Sequence, residues 1–143
     1  VGPEPFIKEA RALRASVLRH PPGHIQRTAA YFLSLGHYYA LIRKMRRILS
    51  ERRQIMEKAI TTSGLAVAGR AYFGGSSFWM RAPDTIDTKE LAAELASKGV
   101  LIEPGHAFFA QSLPPQQFYR LAYSSICTER IVQGVAKIAD TLR

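Results

Sequence analysis

Arg120 stands in the run Phe118-Tyr119-Arg120-Leu121-Ala122-Tyr123, a cation set among aromatic and aliphatic residues. The alternation reads as a strand, so Phe118, Arg120 and Ala122 share one face and Tyr119, Leu121 and Tyr123 the other. An arginine projecting from a sheet into a partly buried space needs an anion, because an unpaired buried charge is costly. Its planar fork suits a carboxylate through two parallel bonds, which lysine cannot supply. Three arrangements fit the same residues. Arg120 binds an acidic ligand, forms a structural salt bridge to Glu103, or sits on an edge strand and faces water.

The remaining reactive residue types form no constellation of comparable force. His20 and His24 are four apart, yet Pro21-Pro22 breaks the helix that would place them on one face. His37 and His106 lack companions, so no metal site is expected. Cys127 has no CxxC partner and reads as a buried or inert thiol. Ser76, Ser77, Ser124 and Ser125 do not sit in a GxSxG elbow, and Gly74-Gly75 marks a turn rather than a phosphate-binding loop. No catalytic residue is expected in this chain.

The elements that would carry Arg120 follow from periodicity. Phe6, Ala10, Leu13 and Val17 make an apolar stripe on a helix over Glu4–Leu18, which His20-Pro21-Pro22-Gly23 must end. A second helix spans His24–Leu35, with Gly36 at its C-terminal end. A third runs from Tyr38 to Ile60. Its apolar side (Tyr38, Leu41, Met45, Leu49, Met56, Ala59) predicts packing along almost its full length. The period then changes. Leu65–Arg70, Ser77–Arg81, Val100–Glu103 and Phe118–Ser124 read as strands. Asp87, with Glu90 three residues on, opens a helix that buries Leu91, Ala92 and Leu95 and stops at Gly99. Thr128 is expected to cap a last helix through Ile131, Val135, Ile138 and Leu142. The fold class is α/β, an α+β small domain: helices leading into a small, mostly antiparallel sheet covered by helices.

With 143 residues, 47% hydrophobic and 22% charged, the chain can bury a sizeable core. No apolar run approaches the ~18 residues of a membrane span. No secretory leader opens the sequence, and the single cysteine cannot form an internal disulfide, which suits a cytoplasmic protein. Charge is uneven. Residues 1–60 hold twelve Lys/Arg against four Asp/Glu, and residues 61–143 hold eight against seven. The basic half suits a nucleic-acid surface, an acidic partner or plain solvation. Nothing resembles a short recognition helix after a tight turn, so direct DNA binding is not expected of this chain.

Several of these residues fall in a familiar order. Arg19-His20-Pro21-Pro22, Gln26, Gly36-His37-Tyr38, Ile42-Arg43-Lys44-Met45-Arg46 and Glu51-Arg52-Arg53 follow one another, after Val1-Gly2-Pro3. Gly74-Gly75, Pro104-Gly105 with Phe108, and Tyr119-Arg120-Leu121 come later. In this succession the chain resembles the C-terminal part of fold-type I, pyridoxal phosphate-dependent aminotransferases. It resembles in particular the aminotransferase-like half of MocR-type regulators of the GntR superfamily.

The resemblance implies three parts: residues 1–36 from a large cofactor-binding domain, a connecting helix over 37–60, and a small domain over 61–143. It implies that Arg120 grips the carboxylate of an amino-acid-like effector beside pyridoxal phosphate, in a homodimer whose DNA-binding domain is N-terminal and outside this chain. It also implies that the Schiff-base lysine lies upstream of Val1, so that this stretch alone neither holds the cofactor nor catalyses transamination. Many relatives carry a histidine after the glycine pair, where this chain has Ser76-Ser77-Phe78-Trp79. Ser76 and Ser77 are therefore candidates to line the effector site, and the departure points to effectors such as sulfonates or compatible solutes. Two alternatives stand beside the regulator: the same segment of a genuine aminotransferase, and a basic interaction module. The apolar stripes of the first two helices predict self-association of the isolated chain.

Overall fold

The computed structural model describes residues 2–69 and 75–143. The chain divides into two compact units, the first ending at Lys44 and the second running Met45–Arg143.

The first unit is helical. Helix α1 (Glu4–Val17) carries Pro at its first turn, where a missing N–H costs nothing. It ends with Arg19 in the left-handed region at φ 51°, followed by the two prolines that bar continuation. Gln26 Nε2 in α2 (Gly23–Ser34) donates to the Pro21 carbonyl at 2.8 Å and ties the connection to the helix. Gly36 takes φ 74° between α2 and α3 (His37–Thr62), a conformation that a side chain would strain. Neither α1 nor α2 buries a residue. The expected packing along nearly all of α3 holds only toward its C-terminal end. Met56, Ala59 and Ile60 are buried there, while Tyr38, Leu41 and Met45 are exposed.

The second unit holds the core. Strands β1 (Ala66–Val67), β2 (Ser77–Arg81), β3 (Glu103–Pro104) and β4 (Phe118–Ala122) form an antiparallel sheet in the order β1-β2-β4-β3. On one face Phe78, Met80, Tyr119 and Leu121 pack with Met56 and Ile60 of α3. Leu91 and Leu95 of α4 (Thr88–Ser97) and Ile131, Val135 and Ile138 of α5 (Thr128–Thr141) complete the cluster. Period-two burial in both central strands is the direct result of their alternating sequence.

Several details differ from the sequence reading. β1 is two residues long, and Arg70 and Gly74 lie outside the described residues. The stretch Val100–Glu103 is not a full strand: pairing is confined to Glu103 with Arg120 and Pro104 with Tyr119, because Val100 still bonds back to Leu95 at the end of α4. Asp87 does cap α4, accepting from the Lys89 amide at 2.8 Å. Thr128, by contrast, is the first residue inside α5. Cys127 takes the extended cap conformation and its side chain makes no capping bond. Its thiol is exposed rather than buried.

Candidate functional site

The sheet's second face is built around Arg120. Register sets Trp79 of β2 opposite Arg120 on one side and Glu103 of β3 on the other. β4 thus pairs on both edges, which removes the edge-strand arrangement. Arg120 Nη2 donates to Glu103 Oε1 at 2.6 Å, with the two side chains 40% and 49% exposed. The salt bridge foreseen as one of three arrangements is therefore present. A half-exposed pair is screened by solvent and contributes only about 0–1 kcal/mol.

That pair uses little of the guanidinium. It engages one of the five N–H donors, and the Nε–H is buried without an acceptor. The guanidinium carbon lies 5.3 Å from the centre of the Phe108 ring, a cation–π contact that fixes the plane. Phe108 ends a 3₁₀ turn, Gly105–Phe108, that follows β3 directly. Gly105 is required there, since a Cβ would run into the Phe118 carbonyl.

Beside Arg120 opens a cavity of about 280 Å³, lined by Val67, Ala68, Gly69, Ser77, Phe78 and Trp79. Trp79 forms its apolar wall and is itself held. Its ring stacks on Phe118 at 5.9 Å with 4° between planes, and meets Phe108 edge-on at 5.5 Å. One cation, one indole and several small residues thus enclose a space suited to a small acid with a short apolar stem.

The structure treats the two candidate serines differently. Ser77 lines the cavity, whereas Ser76 is exposed and outside its lining. Ser76 contributes backbone, its carbonyl accepting from the Tyr123 amide at 2.9 Å. Sequence reasoning missed Trp79 and Phe108. Trp79 shares the alternation of Ser77 and could have been placed on that face. Phe108 reaches Arg120 only through the turn after β3, which leaves no periodic signal.

No lysine is among the described residues lining this cavity. They therefore do not by themselves fit pyridoxal phosphate, whose aldehyde needs an amine anchor. A second, larger groove of about 580 Å³ runs between α5 and the chain around Val100–Leu101, with Arg130 and Lys137 at its polar positions. Arg52 of α3 closes the exit of β4 by donating to the Ser124 carbonyl.

A four-stranded antiparallel sheet with helices on one face and an arginine on the other is the fold of the small-domain part of fold-type I aminotransferases. The kynurenine aminotransferase of Pyrococcus horikoshii matches with a TM-score of 0.82 over 97% of this chain and 34% of its own, at 24% identity. No protein-family model matches the chain.

The sequence comparison is more particular. The chain is 56% identical over 143 residues to the HTH-type transcriptional regulator TauR of Rhodobacter capsulatus, covering all of this chain and 30% of that protein. It is 30% identical over 139 residues to the HTH-type regulator YdfD of Bacillus subtilis, covering 96% of this chain and 28% of that protein. The chain resembles the aminotransferase-like part of MocR-type regulators, as the order of its residues indicates. It spans about a third of the length of the curated relatives it matches.

Proposed function

We propose that this chain is part of the effector domain of a MocR-type transcription regulator, and that Arg120 binds the acid group of an amino-compound effector. The observation that carries this reading is the guanidinium beside the Trp79-walled cavity, with four of its five donors uncommitted. A carboxylate or sulfonate is the group that satisfies such a fork. Trp79 and the small residues Ala68 and Gly69 then accommodate the stem of the ligand and exclude water around the ion pair.

The regulator rather than the enzyme is favoured by the 56% identity to TauR, against 26% to an uncharacterized aminotransferase of Saccharolobus solfataricus. In the full-length protein, pyridoxal phosphate supplies an aldehyde for the amino group and takes its anchor from outside this chain. The DNA-binding domain also lies outside it, and the protein acts as a dimer. Effector binding shifts the balance between two domain arrangements and so changes DNA affinity.

Calorimetry on the full-length, cofactor-loaded protein tests the role of Arg120. Arg120→Ala is expected to weaken binding of the acid by at least about tenfold, as loss of a charged hydrogen-bonded contact of 1.5–3 kcal/mol requires. A change below about twofold defeats the reading.

A further inference from the structure

The feature that the acid-binding role leaves unexplained is the carboxylate already on the arginine. Glu103 stands directly opposite Arg120 in the β3–β4 register and holds Nη2 at 2.6 Å. It occupies the flank away from Trp79, so it leaves the cavity side of the guanidinium open.

Its consequence is electrostatic. A receptor for a dicarboxylic amino acid needs positive charge for the second acid as well as the first. The open face of the sheet offers none among the described residues. Its only other strand cation, Arg81, alternates onto the same face as Trp79 and is already bound to Asp84 at 2.9 Å. Arg120 is the sole charged residue described in the cavity lining, and Glu103 cancels its field at distances beyond direct contact. The first acid still gains short hydrogen bonds to the fork. A second acid, several ångströms further on, meets a pair with no net charge and apolar walls, and loses its hydration without return.

We propose that Glu103 is a specificity-determining residue. It makes the Arg120 site a receptor for amino compounds with one acid group and sets it against dicarboxylic ones. This rests on the effector-binding reading of Arg120 given above.

The test uses the full-length, cofactor-loaded protein and four probes: alanine, β-alanine, its sulfonate counterpart taurine, and aspartate. In the native protein at least one of the one-acid probes is expected to bind about tenfold more tightly than aspartate. Glu103→Gln, which keeps the shape and removes the charge, is expected to narrow that ratio by about three- to fivefold, the size of one screened charge acting over several ångströms. The narrowing comes from tighter aspartate binding. Glu103→Asp keeps the charge and is expected to keep most of the selectivity, which separates charge from any effect on folding. An unchanged ratio in Glu103→Gln, with Arg120→Ala still abolishing binding, overturns the role of Glu103 alone. Binding of all probes that survives Arg120→Ala, or no binding of any probe to the native protein, overturns the underlying reading of Arg120.

Discussion

The two units of this chain carry the same kind of amphipathic pattern and put it to opposite use. In α1 and α2 the stripe of Phe6, Leu13, Val17, Ile25 and Leu33 is exposed, and no residue of either helix is buried. In the sheet unit an equally simple pattern, Ile131, Val135 and Ile138 of α5, disappears into a core shared with α3, α4 and two strands. An amphipathic helix specifies which side must be covered, not what covers it. Where a sheet lies within the same stretch of chain, the cover is present. Where it does not, the stripe remains a surface, and it is this surface that makes self-association of the isolated chain an expected behaviour.

The contrast is open to direct attack. The largest effect is expected from leucines at matched helical positions. Leu95→Ala, at a fully buried site, should cost about 2–5 kcal/mol in urea denaturation. Leu13→Ala, at a site 67% exposed, should stay within about 0.5 kcal/mol. Equal losses would mean that α1 has a core of its own.

Glycines sharpen the same comparison. Gly105→Ala forces a methyl against the Phe118 carbonyl and should lower stability by about 1–3 kcal/mol. Gly23→Ala, in α2 with nothing within 4 Å of the new carbon, should change it little. Thermal melts of both variants decide the matter, and a neutral Gly105→Ala would show that the turn after β3 can yield.

A smaller effect belongs to Tyr119, whose hydroxyl is buried in the sheet unit without a partner. Burial pushes its pKa up from 10.0 to about 12. The folded state therefore holds this proton more tightly than the unfolded one. The stability this brings is complete below pH 10 and is lost as pH rises from there toward 12, by up to about 1.4 kcal/mol per unit. Tyr119→Phe should remove that alkaline loss and change neutral stability by about 1 kcal/mol or less, since no hydrogen bond is broken. An unaltered alkaline limb in the phenylalanine variant would show that another group is responsible.

Much of this was legible in the residues. Helix boundaries fell within a residue or two, because Pro3, Pro21-Pro22, Gly36, Asp87 and Gly99 punctuate the chain by backbone chemistry alone. β2 was read in full because Phe78 and Met80 alternate with Ser77, Trp79 and Arg81. The ends that failed are those with no such marker. Nothing in Val100-Leu101-Ile102 announces that pairing begins only at Glu103, and Thr128 looks like a cap although Cys127 occupies that position.

The sequence by itself determined that Arg120 lies on a strand face with Phe118 and Ala122, since side-chain direction alternates with a period the backbone imposes. It could name Glu103 as a partner but not choose between that pair, a ligand and open water. Only the tertiary structure made the choice, because strand order and register are long-range facts. They put Glu103 on one flank of Arg120 and Trp79 on the other, and bring Phe108 beneath the guanidinium from a separate turn. Which charges and rings stand within a few ångströms of one another depends on pairing between distant segments, and local sequence carries no record of that.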